Sequence, residues 1–254
     1  MILAIDIGNT SIALGGFDEN NLKFVVRLST DITKTEDEYA SKIMNILNLH
    51  GVSKGNVEGA IISSVVPPLN AVMKSALRLA YDVEALMVSP GIKTGIGILC
   101  DSPSSVGADL ICSCVAANTR YSSPALIIDI GTATKMIVTN KSGAFIGVSI
   151  IPGVMMGLKA LSNGTAQLPQ VSLEAPSTVI GKNTVDCMKS GIIFGHASMM
   201  DGMIDRINSE VGEELPVIVT GGYANIIVPH CQHKMIIDEH LVLEGLYIIY
   251  NKNK

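Results

Sequence analysis

The phrase that most constrains this chain occurs in it twice. Leu3–Gly16 reads LAIDIGNTSIALGG and Leu126–Thr139 reads LIIDIGTATKMIVT, about half the chain apart. Each copy is an apolar run, an aspartate, a glycine, one or two hydroxyl residues and a second apolar run. That order suits a strand, a tight turn and a return strand. The glycine lets backbone amides approach a phosphate closely, and the hydroxyls and the Asn9 amide can donate to its oxygens. Asp6 beside a phosphate is repulsive unless a cation lies between them, which implies Mg²⁺ held through water. Two plain hairpins are the bland alternative. The recurrence in both halves favours a nucleotide held between two related domains.

Around these turns the chain repeats one plan. Strands are expected at 2–7, 12–17 and 22–28, then a helix at 37–49, a strand at 59–63, a helix opened by the Pro67–Pro68 pair and a strand at 85–88. A loop over 89–103 leads to a helix at 104–120. The second half restarts with strands at 126–129, 135–139 and 144–150, helices at 155–161 and 183–209, strands at 216–220 and 234–237, and a closing helix at 241–250. Strands first and helices after, twice over, mean a duplicated α/β unit. The expected domains are 1–120 and 121–254.

Composition narrows the partners. Charged residues are 16% and apolar ones 48% of the chain, against roughly 25% charged in an average globular protein. The net charge is -5, the basic residues are scattered and Trp is absent. Nucleic acid and anionic membrane are not expected partners. No apolar run is long enough to span a bilayer, and Asp6 interrupts the first one, against a signal peptide. The five cysteines show no C-x-x-C pair or metal spacing, so a reduced, cytoplasmic protein is expected.

VTGGYA at Val219–Ala224 adds a buried strand ending in two glycines, a place for backbone to approach a flat ligand such as adenine. No Walker-type phosphate loop is present, and GIKTGIG at Gly91–Gly97 follows a poor strand and opens no helix. Two phosphate turns and a late purine platform resemble the sugar kinase, actin and heat-shock chaperone ATPase superfamily. That resemblance implies a duplicated ribonuclease H-like (actin-like ATPase) α/β fold, two similar domains with a cleft between them. DIGNT (6–10), PSSVGAD (103–109), DIGTAT (129–134), IIPG (150–153), TAQLP (165–169), GKNT (181–184), TGG (220–222) and LVLEGL (241–246) are similar in order and spacing to type III pantothenate kinases.

The resemblance implies ATP-dependent phosphorylation of pantothenate to 4′-phosphopantothenate, a monovalent cation (K⁺ or NH₄⁺) and a homodimer. It makes Asp109 the general base; a helix first-turn acid is the plain alternative. It assigns Asp6, Ile7, Gly8, Asn9, Thr10, Ser11, Ile12 and Ala13 to the first nucleotide turn, and Gly131, Thr132, Gly221 and Gly222 to further nucleotide contacts. Asp129 matches the monovalent-cation ligand. Gly107, Ala108, Asp109 and Thr184 fall on the substrate side, with N-cap as the alternative role for Thr184.

The chain departs from the family pattern at four places. Leu110 stands where an arginine holds the pantothenate carboxylate, Cys100 where a tyrosine helps hold the substrate, Val148 where a glycine is usual, and Lys135 where a threonine is usual. Cys100 and Leu110 therefore mark the substrate side as altered. The alternatives are a diverged paralogue acting on another small alcohol, or a non-catalytic nucleotide-binding or regulatory homologue.

Overall fold

The computed structural model describes all 254 residues. They form two compact units, one of residues 1–120 with 240–254 and one of 121–239.

The first unit carries a five-stranded sheet. β1 (Ile2–Ile7), β2 (Ser11–Asp18) and β3 (Asn21–Ser29) form an antiparallel meander, and β4 (Gly59–Ser64) and β5 (Ala85–Met87) add in parallel, in the order β3-β2-β1-β4-β5. Strand alternation sorts β1 onto two faces. Leu3, Ile5 and Ile7 enter a core with α1 (Glu36–Leu49) and α2 (Pro68–Tyr81). Ala4 enters the other core, with Ile111, Cys112 and Val115 of α3 (Ala108–Arg120) and Leu243, Leu246 and Ile249.

The second unit repeats the topology. β6 (Ala125–Ile130), β7 (Ala133–Thr139) and β8 (Phe145–Pro152) form the meander, and β9 (Val217–Thr220) and β10 (Ile236–Ile237) add in parallel, in the order β10-β9-β6-β7-β8. Leu126, Ile128 and Ile130 enter a core with Ile193, Ala197, Met200 and Ile204 of α5 (Thr184–Val211). α4 (Val154–Gly164) and the one-turn α6 (Ala224–Ile227) complete the unit. The same five-strand order in both halves is the duplicated ribonuclease H-like plan, with β1–β5 matching β6–β10.

The closing helix α7 (Leu241–Lys252) does not stay with the second half, where the sequence division at 121–254 places it. It packs on α3 and on β1, β2 and β4 of the first unit. Gly245 makes this possible: a Cβ there would lie 1.9 Å from the Cys112 carbonyl oxygen. Arg120 and Glu244 form an ion pair across the same two helices, and Phe17 stacks on Tyr247 with ring centroids 4.4 Å apart. The helix expected from 104 begins at Ala108, after a single 3₁₀ turn at 103–105. No helix is long and apolar enough to cross a membrane.

Candidate functional site

The first IDIG turn is a tight link between β1 and β2. Gly8 N–H donates to the Ser11 carbonyl at 3.0 Å, and the Thr30 hydroxyl donates to the Gly8 carbonyl at 2.6 Å. Asn9 and Thr10 are exposed at its tip, while Ile7 and Ile12 bury their side chains in the sheet core. Only the backbone of Ile7 and Ile12 can therefore serve a ligand. Asp6 lies opposite Ala13 and beside Ser63 in the register. Alternation puts Asp6 on the face of Ala4, towards α3, and parallel register puts Ser63 on that face too. The Ser63 hydroxyl is buried and has no hydrogen-bond partner. A carboxylate beside an unpartnered hydroxyl on one sheet face fits a hard divalent cation held through water.

Asp109 sits in the first turn of α3, 7% exposed. Its neighbour in chemistry is Cys112, one turn further along. Burial pushes the Cys112 thiol well above its usual range, and the Asp6 and Asp109 carboxylates push it in the same direction. Ala4 and Cys112 share one core, so Asp6, two residues on from Ala4 on the same strand face, lies on the side of β1 that α3 covers. Gly107 shapes that place: a Cβ on it would lie 2.5 Å from Asp109 Oδ1. Leu110, next along the helix, is buried at 7% exposure.

The second IDIG turn is one residue tighter. Ile130 pairs with Thr134, whereas Ile7 pairs with Ile12, and Gly131 N–H donates to the Ala133 carbonyl at 3.1 Å. The shortening puts Lys135 directly opposite Asp129, where Ala13 stands opposite Asp6. Lys135 Nζ donates to Asp129 Oδ2 at 2.7 Å, with side-chain exposures of 22% and 16%. Asp129 Oδ1 meets the TGG segment: Gly221, at φ +97°, would place a Cβ 2.6 Å from that oxygen and 2.5 Å from the Ile130 carbonyl. Gly222 is exposed and has nothing within 4 Å of its Cβ position. The two glycines thus divide the work, Gly221 closing onto the IDIG turn and Gly222 leaving a bare surface.

The expectation of a free monovalent cation at Asp129 meets an ammonium already seated there. A second cation on that carboxylate, about 4 Å from the ammonium, would meet a repulsion of about 4 kcal/mol at an effective dielectric near 20, which offsets most of the carboxylate's attraction for it. The Lys135 ammonium on Oδ2 leaves the Asp129 carboxylate a poor fit for an added monovalent ion.

Comparison with known proteins now decides the family. The type III pantothenate kinase model matches residues 2–206. A type III pantothenate kinase of Exiguobacterium sp. strain AT1b is 42% identical over 254 residues, covering 100% of both chains. The chain belongs to the type III pantothenate kinase family. Among solved structures, a Campylobacter jejuni protein assigned to the Baf family of transcriptional activators matches at TM-score 0.60 and 18% identity, covering 99% of this chain and 98% of that one. The inorganic polyphosphate/ATP-glucomannokinase of Arthrobacter sp. strain KM matches at TM-score 0.51 and 14% identity, over 99% and 98% of the two chains. Both likenesses are of fold.

Within this type III pantothenate kinase family member, the remaining sequence-derived positions lie apart in the chain. Cys100 is half-buried in the loop before α3, and Ala108 opens that helix. Thr132 is exposed at the tip of the second turn. Thr184 is the exposed first residue of α5, but the cap is Asn183, whose side chain accepts from Asp186 N–H at 3.0 Å. The N-cap alternative for Thr184 is thereby corrected. A residue the sequence reading passed over is His196 of α5, whose Nε2 lies 2.9 Å from the buried Thr134 hydroxyl. Burial lowers its pKa. Its contact with Thr134, beside the second turn, links it to that turn, and no motif marks it.

Proposed function

We propose that this chain phosphorylates the primary hydroxyl of pantothenate with ATP, giving 4′-phosphopantothenate and ADP, the first step toward coenzyme A. Family membership supports the reaction class. The observation that supports the site is packing: Asp6 shares a face of β1 with Ala4, that face is covered by α3, and Asp109 stands in the first turn of α3.

In this reading the backbone of residues 7–13 and the side chains of Asn9, Thr10 and Ser11 bind ATP phosphates. In the second unit Gly131, Thr132 and Gly222 offer backbone to a nucleotide, the last as a bare surface suited to adenine. Asp109 accepts the hydroxyl proton as the oxygen bonds to the γ-phosphorus and the bond to ADP breaks. Asp6 and Ser63 would hold Mg²⁺ through water, and the ion would supply charge neutralisation at the transferring phosphoryl group. The free K⁺ or NH₄⁺ of the resemblance is not part of this reading, because Lys135 holds its carboxylate.

Burial of Leu110 favours a second reading, an acceptor alcohol less anionic than pantothenate. Leucine offers no donor to a carboxylate, whereas a charge-assisted hydrogen bond contributes about 1.5–3 kcal/mol. In both readings Cys100, Gly107 and Ala108 are the acceptor-side residues of the first unit, and Thr184 is that of the second.

A homodimer fits the family, and Ile150, Met156, Val179 and Ile180 of the second unit are exposed apolar residues for a partner to cover. A cytoplasmic location fits the five unpaired cysteines, and the net charge of -5 argues against nucleic acid as a partner. The test is ADP release by the purified chain with ATP and Mg²⁺. Turnover that depends on pantothenate and vanishes in Asp109→Asn supports the first reading. Turnover only with other small alcohols selects the second, and none with any acceptor overturns both.

A further inference from the structure

We propose that Lys135 is a built-in cation: its ammonium supplies at Asp129 the charge that a free monovalent ion would supply, so nucleotide binding does not respond to K⁺ or NH₄⁺. This rests on the reading of the IDIG turns as nucleotide contacts.

Three observations carry it. Asp129 Oδ2 accepts from Lys135 Nζ at 2.7 Å, and Oδ1 lies so near Gly221 that a Cβ added there would sit 2.6 Å from it. The ammonium is placed by register, since the shorter second turn sets Lys135 opposite Asp129 on adjacent antiparallel strands. The equivalent position in the first unit is Ala13, so the ammonium is special to the second copy and not a general feature of the repeat. A half-buried ion pair held by two strands is fixed in place, and a diffusible ion would have to displace it. Lysine presents a compact charge on a flexible stem, a suitable covalent stand-in for an alkali or ammonium ion.

The test uses the full chain and two readouts. Thallous ion, a K⁺ surrogate, is titrated onto the protein and followed by ²⁰⁵Tl NMR. ATP affinity is measured by calorimetry in potassium and in tetramethylammonium chloride at equal ionic strength. The wild type is expected to show no saturable Tl⁺ site and ATP affinities within about twofold in the two salts. Lys135→Thr is expected to gain a Tl⁺ site and to bind ATP about tenfold tighter in potassium. A saturable Tl⁺ site on the wild type that Asp129→Asn removes overturns the proposal, whether or not the lysine variant folds. A folded Lys135→Thr that ignores both ions also overturns it. Absence of ATP binding in every salt sinks the nucleotide reading instead, and the thallium titration still decides the cation question.

Discussion

The Asp109 carboxylate folds back over Gly107, so closely that a methyl group on the glycine would sit 2.5 Å from Oδ1. The glycine of the V-G-A-D segment is thus a space reserved for the acid two residues later. The atom in the way is the end of a side chain, so the chain can relieve the clash by turning the carboxylate aside. Gly107→Ala is expected to lower kcat by about tenfold to a hundredfold with the fold retained, because a displaced base loses part of the 10²–10⁴-fold that general-base catalysis typically supplies. Steady-state kinetics beside a thermal melt check this; a large loss of melting temperature with kcat intact contradicts it.

Gly221 faces a different obstacle. Its Cβ would strike the Ile130 carbonyl at 2.5 Å, and its φ is +97°. Neither the backbone nor the conformation can yield cheaply, and a non-glycine residue held in such a region costs about 1–3 kcal/mol before the clash is counted. Gly221→Ala is expected to destabilise the protein by at least that amount in urea unfolding. Gly222→Ala, which meets nothing within 4 Å, is expected to leave stability unchanged and to weaken ATP binding.

Helix α7 depends on one missing side chain. Gly245→Ala drives a methyl into the Cys112 carbonyl, 1.9 Å away, and overpacking of this kind typically costs about 1–3 kcal/mol. The expected result is a lower urea midpoint and faster amide exchange in α3 and α7, read by hydrogen-exchange mass spectrometry. Exchange unchanged in α3 contradicts the packing described above.

His196 should make stability pH-dependent. Burial lowers its pKa in the folded chain, while the unfolded chain protonates near about 6.5. The unfolded state then binds more protons just below that pH, so stability falls as pH drops from about 6.5 towards the folded value. Urea midpoints measured between neutral and mildly acidic pH should decline, and His196→Gln should flatten the decline. An equal slope in the variant assigns the effect to other groups.

Leu110→Arg asks what the acceptor is. If pantothenate is the substrate, a guanidinium at this position is expected to lower its KM by about tenfold, with circular dichroism confirming the fold. An unchanged KM in a folded variant means that another group holds the carboxylate or that the acceptor carries none.

Much of this molecule was legible in one dimension. The IDIG copies predict strand, turn and strand, and β1–β2 and β6–β7 follow that order, because apolar alternation and a glycine turn are short-range signals. The family motifs led to Asp109, but not to its neighbourhood with Asp6, which arises when α3 packs on the far face of β1. The domain division at residue 121 left α7 on the wrong side. Nothing local in LVLEGL says which half the helix serves; Gly245 and the Cys112 carbonyl decide that by contact. Asn183, not Thr184, caps α5, a choice made by one backbone conformation.

The sequence by itself determined that two strand–turn–strand units would form and that each would carry an acid before its turn. Periodicity and turn chemistry are enough for that, since both act over a few residues. Only the tertiary structure decided what each acid meets. The first turn is longer by one residue, and Asp6 lies opposite Ala13 on a face that α3 covers. The second is shorter, and Asp129 lies opposite Lys135. Strand register and long-range packing set those partners, and neither is written in any single stretch of the chain.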